Sequence, residues 1–401
     1  MNDSSSNIKR LKSNIWKIYL YLILYGLYFY TPIIVLFYQE NGLSISQIMI
    51  IQSFSSITWI LLEIPSGYFA DIAGRKISFM FNGIFAFLTM FTLWLGTDFY
   101  HFLLAAFFWA LAGVFISGAD SALMYDTLKE LKKENSYKKV WGNITFYCLI
   151  STSVASILGG ILGKIDLRYP FMIALPFYII LIPLSLSIYE PTEHKKLALK
   201  NNALDFFKSI KKNVIQNPKI IQIFIISAII GGAIGITYFL YQPYFKLSGL
   251  DIVYFGLVFA AFNFVMGLSS KYSYIIEKQI GINFSLVLSF LLVSLCFILM
   301  GNFIFIFSFL FAFLFQFVGG FSSIVIGDYI HREIESKIRA TVCSVQSVFN
   351  SCFQALIAPL IGWLVDVYTL PQTLTIVGII ILLFGIVFSV LLYKDKLLIK
   401  E

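Results

Sequence analysis

Charged side chains are scarce in this sequence. Asp, Glu, Lys and Arg together make up 12% of its 401 residues, whereas 59% are hydrophobic and 42 are Phe. A water-soluble globule of this size could not keep so much apolar surface away from water. The composition therefore excludes an ordinary soluble enzyme or binding module and indicates a protein of the lipid bilayer.

Metal-binding and catalytic patterns are also missing. The sequence has no His-x-x-x-His pair, no nucleophile elbow and no phosphate-binding glycine loop, and it leaves no room for a soluble nucleotide-binding domain. We therefore expect neither an enzyme nor an ATP-driven pump, and no metal or organic cofactor. The cysteines and histidines, which lack metal-ligand spacing, are Cys148, Cys296, Cys343, Cys352, His101, His194 and His331.

Long apolar runs fill most of the chain. A helix needs about 20 apolar residues to cross roughly 30 Å of hydrocarbon, and it satisfies its own backbone hydrogen bonds. The stretches of about ten alternating residues that build a membrane barrel are absent. We predict twelve transmembrane helices, with approximate edges at 14–38, 46–70, 77–96, 101–127, 139–162, 169–189, 218–245, 252–276, 282–300, 303–328, 340–365 and 371–393.

The few cations lie mainly on one side of the predicted membrane. With the N-terminus inside, every Lys and Arg except Lys164, Arg168 and Lys246 falls in a cytoplasmic segment, where cations are favoured. We therefore expect both termini to be cytoplasmic. The net charge of +8 indicates topology, and a nucleic-acid patch is the weaker interpretation. The polar start shows no cleavable signal peptide, and the Lys- and Ile-rich, Ala-poor composition hints at a bacterial cell membrane.

The chain repeats itself at an offset near 200 residues. ENGLSISQI at 40–48 is answered by LSGLDIVYF at 247–255. GADSALMYD at 118–126 loosely matches GFSSIVIGD at 320–328, and ILGKIDLRYP at 161–170 is echoed by LIGWLVDVYTLP at 360–371. These echoes predict two halves of six spans each, 1–189 and 218–401. A basic linker at 190–217, with an amphipathic helix on the membrane surface, joins them.

One short loop carries a family pattern. GYFADIAGRK, Gly67 to Lys76, resembles the signature loop of the major facilitator superfamily, Gly-x-x-x-Asp-x-x-Gly-Arg-Lys/Arg, and lies between spans two and three as in that family. Span count, topology and the two halves extend the resemblance over essentially the whole chain. It implies an all-α membrane protein of two pseudo-symmetric six-helix bundles, acting as a monomer, whose halves rock about a central site.

The glycines and charges of this loop suggest a clasp. Gly67 would let two helices approach closely, and Gly74 can adopt a left-handed turn. The resemblance implies that Asp71 holds the start of span eleven and that Arg75 pairs with an acid at the foot of span four. In the alternative interpretation the loop cations only anchor the topology. The further residues assigned to this clasp are Lys76, Asp126 and Arg339.

Two acids inside spans are candidates for proton coupling. An ionisable group at mid-membrane costs about 2.5–3.5 kcal/mol or more, so Asp120 in span four and Glu63 near the end of span two invite a functional explanation. Glu63 could instead belong to the clasp. Two features depart from proton-linked drug exporters of the family: Trp109 stands near the position of their Arg, and SILGGILG at 156–163 lacks their Gly-Pro. These departures put standard proton antiport in question.

Polar and aromatic residues within spans outline a substrate cavity. The family lines its cavity with spans one, four, seven and ten, and span eleven adds three amides spaced i, i+4, i+8, which lie on one helix face. Such amides more commonly bind neighbouring helices. The candidates are Tyr25, Tyr28, Trp109, Tyr238, Gln242, Asn263, Gln316, Gln346, Asn350 and Gln354.

The cavity candidates favour one substrate class. They include no Lys or Arg, so sugar phosphates and dicarboxylates, which require a buried cation, are disfavoured. Aromatic rings suit amphipathic organic molecules, including cations. The leading hypothesis is proton-coupled efflux of such compounds by an antiporter that uses the proton gradient. The alternatives are proton-coupled uptake of a small neutral solute, and a sensor on the same scaffold that binds without transport.

Overall fold

The computed structural model describes the backbone of residues 2–191, 217–333 and 339–395. Every extended element in these ranges is a helix. The side chains not described within them are those of residues 2–6, 64, 71, 218–219, 331–333, 339–341, 343–344 and 391–395. The predicted all-α membrane fold is confirmed, whereas the linker helix expected within 190–217 falls largely outside the described residues.

The described helices fall into two series, one for each half of the chain. The first half contains α1 Asn2–Tyr25, α2 Ile34–Glu40, α3 Ile45–Ala73, α4 Arg75–Leu95, α5 Phe99–Ile116, α6 Ala119–Glu130, α7 Tyr137–Ile165 and α8 Tyr169–Ser187. The second half contains α9 Pro218–Thr237, α10 Tyr241–Leu247, α11 Ile252–Ile280, α12 Ile282–Asn302, α13 Phe313–Glu333, α14 Arg339–Val367 and α15 Leu370–Asp395. Among the described residues, 11 helical segments are long and apolar enough to cross a membrane.

Four of the predicted spans are interrupted, which corrects the prediction of continuous helices. Span one breaks between α1 and α2, where Pro32 has no N–H to donate to the preceding turn. Span seven breaks between α9 and α10, just before Pro243. Span four breaks at Ser117 and Gly118, whose φ of 71° favours glycine. Span ten begins with irregular backbone and a 3₁₀ turn, Ser308–Ala312, before α13.

Helix α7 accommodates the break in span one. The carbonyl oxygens that the break frees need partners or close neighbours. Thr152 donates its hydroxyl to the Gly26 oxygen at 2.9 Å. Gly159 packs so tightly on the Phe29 carbonyl that a Cβ at Gly159 would collide with it, and a Cβ at Gly163 would meet the Ile33 side chain at 2.6 Å. The glycines of span five therefore serve helix packing.

The repeat is accurate in its first elements. Helices α3 and α11 each have 29 residues, and α4 and α12 each have 21. Their starting points, and also Gly42 and Gly249, lie 207 residues apart, and both glycines have φ of 84°. The loose match of Gly118 to Gly320 does not extend to the backbone. Gly118 precedes α6 with positive φ, whereas Gly320 lies inside α13.

The chain forms two compact units that do not follow the predicted halves throughout. One unit comprises Met1–Gly42, Phe54–Asn201 and Ile252–Ala260, and the other Leu43–Ser53, Asn202–Asp251 and Ala261–Glu401. The start of α11 thus belongs to the first unit and the start of α3 to the second.

Close backbone contacts explain this exchange of helix starts. In the first unit, a Cβ at Gly160 would lie 3.0 Å from the Gly256 nitrogen. In the second unit, a Cβ at Gly362 would lie 2.8 Å from the Ser46 Cα, and the Asp366 carboxylate accepts a hydrogen bond from the Ser46 N–H at 3.1 Å. Glycine allows each pair of helices to touch.

Candidate functional site

The signature loop ends in a polar network in the first unit. Arg75, the first residue of α4, forms an ion pair with Asp126 of α6, and both side chains are largely buried, at 15% and 14% exposure. Glu190 lies at the other side of the α4 start, where its two carboxylate oxygens accept the N–H groups of Arg75 at 2.9 Å and Lys76 at 2.8 Å. The loop thus joins three segments through charges.

Gly74 permits this arrangement. It has φ of 100° and ψ of 149°, a region that side chains with a Cβ avoid. A Cβ here would meet the Glu190 carboxyl group at 3.3 Å. Because Gly74 has no side chain to cap α4, the carboxylate from the end of span six satisfies the first N–H groups and opposes the positive end of the helix dipole.

Glu190 and Asn14 were missed by the sequence analysis. The buried Asn14 amide donates to the Tyr189 carbonyl at 2.7 Å and accepts from the Tyr189 N–H at 2.9 Å, which fixes α1 to the chain just before Glu190. Asn14 stands in an apolar run and gives no signal. Glu190 could have been found, because a helix that starts after glycine with two cations lacks a local acidic cap.

The remaining clasp residues are placed differently. The side chains of Asp71 and Arg339 lie outside the described residues, so their predicted contact stays a prediction. Gly67 is exposed, and no described residue comes within 4 Å of the place where its Cβ would lie. The close helix contact predicted for Gly67 is therefore wrong within the described part of the chain, because α3 presents this position to open space.

Glu63 binds the break in span four. Ser117 donates its hydroxyl to Glu63 Oε1 at 2.9 Å, and the other carboxylate oxygen, Oε2, is buried with no hydrogen-bond partner among the described residues. One turn earlier on α3, Trp59 packs directly on Gly113 of α5. Two successive contacts therefore hold α3 against the end of α5.

Asp120 lies in the first turn of α6, directly after the break. It is half-buried, and its Oδ1 accepts the N–H of Ser121 at 2.6 Å. Tyr25, Tyr137 and Cys148 interact with it electrostatically. Asp120 forms no ion pair with a residue whose side chain is described.

Three tyrosines surround Trp109 of α5. The ring centroids of Tyr25, Tyr28 and Tyr30 lie 6.2, 5.6 and 6.0 Å from that of Trp109. In an unbroken helix Tyr25 and Tyr30, five residues apart, would point in different directions. The break after α1 brings both to Trp109. We call Tyr25, Tyr28, Tyr30 and Trp109 the Trp109 cluster.

The amides of α14 contact another helix. Gln346 donates to the Ser227 hydroxyl at 2.8 Å, and Ser227 donates to Asn350 Oδ1 at 3.3 Å. Gln354 packs on Gly235, where a Cβ would lie 2.5 Å from its Nε2. In this conformation the amides bind α9, which was the alternative interpretation of their spacing.

The other cavity candidates of the second half vary in exposure. Gln242 is fully buried, so it faces protein atoms, and its placement in an open cavity is wrong for this conformation. Gln316 is half-buried and donates to the Tyr241 hydroxyl at 3.1 Å. Tyr238 lies in the break of span seven beside Phe239, and Asn263 is half-buried on α11. Within the described ranges, no three His, Cys, Asp or Glu residues form a metal-binding group.

These features define a class: an all-α multi-pass membrane protein whose repeated halves contain interrupted helices, as secondary transporters do. Residues 19–336 match the Major Facilitator Superfamily, and the chain belongs to this family.

Similar proteins span a range of transporters. The uncharacterized MFS-type transporter YxaM of Bacillus subtilis (strain 168) is 26% identical over 265 residues, which cover 62% of this chain and 64% of YxaM. The match thus spans just under two thirds of this relative. The crystal structure of the nucleoside transporter NupG has a TM-score of 0.80 and 14% identity, covering 97% of this chain and 99% of NupG. A POT family transporter in complex with 5-aminolevulinic acid has a TM-score of 0.71 and 12% identity, covering 98% and 96%. At these identities the structures show a common fold alone.

Proposed function

We propose that this protein exports small amphipathic organic compounds across a bacterial cell membrane in exchange for protons. The observation that carries the proposal is the Trp109 cluster beside Asp120, which combines aromatic surface with a carboxylate that no described cation neutralises. Aromatic faces and a negative charge favour amphipathic and cationic molecules. Anionic substrates would be repelled.

The inner-end network of Arg75, Asp126 and Glu190 is the proposed gate. In rocker-switch transport, the two halves alternate between states that open to opposite sides. Charged hydrogen bonds are strong enough to hold one state, and their rearrangement can release it. Asp71 and Arg339 complete this gate in the proposal, as the family resemblance implies.

Glu63 and Asp120 are the proposed coupling acids. An ionised Glu63 would leave a buried, unpaired oxygen, which is costly in a low-dielectric environment. A proton on Oε2 removes that cost. Because the other oxygen holds Ser117 at the break in span four, proton release and the shape of span four would change together.

Uptake of a small neutral solute is the second candidate. The Trp109 cluster could stack a planar base as well as a cation, and half-buried Gln316 offers an amide that could bind a hydroxyl group. The fold likeness to the nucleoside transporter NupG makes a nucleoside a reasonable probe.

Vesicle transport tests these alternatives. Everted membrane vesicles with an imposed proton gradient are supplied with ethidium or uridine. Efflux by the protein predicts gradient-driven accumulation of ethidium, and neutral-solute uptake predicts gradient-linked movement of uridine. Binding of either compound without flux would identify a sensor. No binding and no flux of any amphipathic compound in a broad panel would contradict the exporter proposal.

Orientation and assembly are part of the proposal. Both termini are placed in the cytoplasm, as the cation distribution favours, and the transport unit is a monomer. Labelling of single cysteines placed at each end tests the first point. Labelling of the two ends from opposite sides of the membrane would contradict it.

A further inference from the structure

Asp120 differs from the other acids of its region in the partners that it has. Asp126 pairs with Arg75, and Glu63 accepts from Ser117. Asp120 accepts one backbone N–H, from Ser121, and its ion-pairing capacity is not used by any cation among the described side chains. A carboxylate that is half-buried and uncompensated attracts a positive ligand.

The position of Asp120 favours its charged form. It is the second residue of α6, and the amide groups at the start of a helix stabilise a negative charge. The ionisable groups that interact with it are Tyr25, Tyr137 and Cys148, whose ordinary forms at neutral pH are uncharged. The local field at Asp120 is therefore negative.

The aromatic rings lie within the field of this charge. Tyr25 interacts electrostatically with Asp120 and also stacks on Trp109, with an interplanar angle of 18°. Tyr28 and Tyr30 meet Trp109 edge-on, at 79° and 82°. Trp109, Tyr28 and Tyr30 are each only half-buried, so part of each ring surface is accessible. Aromatic faces attract cations, and a carboxylate nearby adds a full charge.

We propose that Asp120 and the Trp109 cluster form a binding subsite for organic cations that carry an aromatic ring. The ring of the ligand stacks on the cluster, and its positive charge is balanced by Asp120. This inference rests on the proposed function and narrows it, because neutral amphiphiles would gain only the stacking contribution. Glu63, which contacts none of these rings through a described hydrogen bond, is then left to bind the proton.

Direct binding tests the subsite without requiring transport. Ethidium is titrated into the purified full-length protein in detergent, with uridine as the neutral probe. We expect Asp120→Asn to weaken ethidium binding about tenfold or more, the loss expected when one charge-assisted contact is removed. Asp120→Glu should retain most of the affinity. Glu130→Gln, which removes an acid from the same helix, should bind like the wild type.

The aromatic part of the subsite has its own variant. Trp109→Ala should weaken ethidium binding, and Trp109→Phe should retain part of it because the ring face remains. Trp94→Phe serves as the matched control, since Trp94 lies at the end of α4 outside the cluster. Unchanged elution and thermal unfolding of each variant exclude misfolding as the cause.

The outcomes separate this inference from the proposed function. Ethidium binding that is lost in Asp120→Asn and kept in Asp120→Glu supports the subsite. Equal binding by the wild type and Asp120→Asn overturns the subsite but leaves amphipathic export standing. Binding of uridine without ethidium overturns both the subsite and the export proposal, in favour of neutral-solute uptake.

Discussion

The hairpins α3–α4 and α11–α12 have the same backbone plan and different chemistry. Each pairs a helix of 29 residues with one of 21, joined by a single glycine with positive φ, Gly74 or Gly281. After Gly74 come Arg75 and Lys76, whereas Ile282 follows Gly281. The sharp turn therefore requires the glycine but not the charges. The charges of the first hairpin are free to serve the transport cycle.

The same contrast appears one helix face away. Glu63 on α3 binds Ser117, while Ser270, 207 residues later on α11, donates its hydroxyl to the Gly320 carbonyl at 3.2 Å. Both contacts tie the second span of a half to the fourth. Only the first half places a titratable acid there, which is why coupling is proposed for that half.

Breaking the Arg75–Asp126 pair should have the largest effect. Arg75→Ala leaves a largely buried carboxylate without its cation, a loss of about 1.5–3 kcal/mol, or roughly 10- to 100-fold in flux. Flux into everted vesicles measures this. Lys278→Ala, at the α11 position that corresponds to Asp71, is the control and should transport normally. Wild-type flux in Arg75→Ala at equal expression would contradict the proposed gate.

Filling the glycine of span five comes next. Gly159→Ala drives a Cβ into the Phe29 carbonyl, and overpacking of this kind costs about 1–3 kcal/mol. Thermal unfolding in detergent should therefore occur at a lower temperature. Gly142→Ala lies on the same helix, where no described atom comes within 4 Å of the new Cβ, and should leave the unfolding temperature unchanged or raise it. Equal unfolding temperatures for the two variants would contradict the packing described for the break in span one.

Removing the acidic cap of α4 should have a smaller effect. Glu190→Ala frees two N–H groups at the start of the helix and should cost about 1 kcal/mol of stability. Glu190→Gln keeps an acceptor and should cost less. Thermal unfolding measures both, with Glu277→Ala of the second hairpin as the control. A variant of Glu190 as stable as the wild type would show that the cap is dispensable.

The smallest effect is expected at the start of α5. Asp98 accepts the N–H groups of Tyr100 at 2.9 Å and His101 at 3.1 Å. The His101 N–H is the main cause that lowers the pKa of Asp98 below its usual value. Because the folded-state pKa is the lower one, the cap stabilises the fold above about pH 4 and loses its effect as the pH falls through the folded-state pKa.

The second half has no acid at the corresponding place, where Ser308 accepts the Phe305 N–H. Asp98→Ala should therefore lower the unfolding temperature slightly at pH 7 and not at low pH. A difference that is independent of pH would show that the charge of Asp98 contributes nothing.

The sequence predicts the fold better than the site. Apolar length and the signature loop indicate the helices and the repeat, because both depend on local composition and a single glycine turn. The breaks near Pro32 and at Gly118 were missed, since a long apolar run hides an interruption that tertiary contacts satisfy, such as the Thr152 hydroxyl on Gly26. The amides of α14 could not be assigned, because spacing cannot distinguish a ligand from the Ser227 hydroxyl.

The most direct test of a coupling acid in the first half compares two matched substitutions. Glu63→Gln and Ser270→Ala alter corresponding positions of α3 and α11, and ethidium transport driven by an imposed proton gradient is measured for each in everted vesicles. We predict that Glu63→Gln abolishes the dependence on the gradient while Ser270→Ala retains it. Gradient-driven transport of equal size in Glu63→Gln and the wild type would contradict the account.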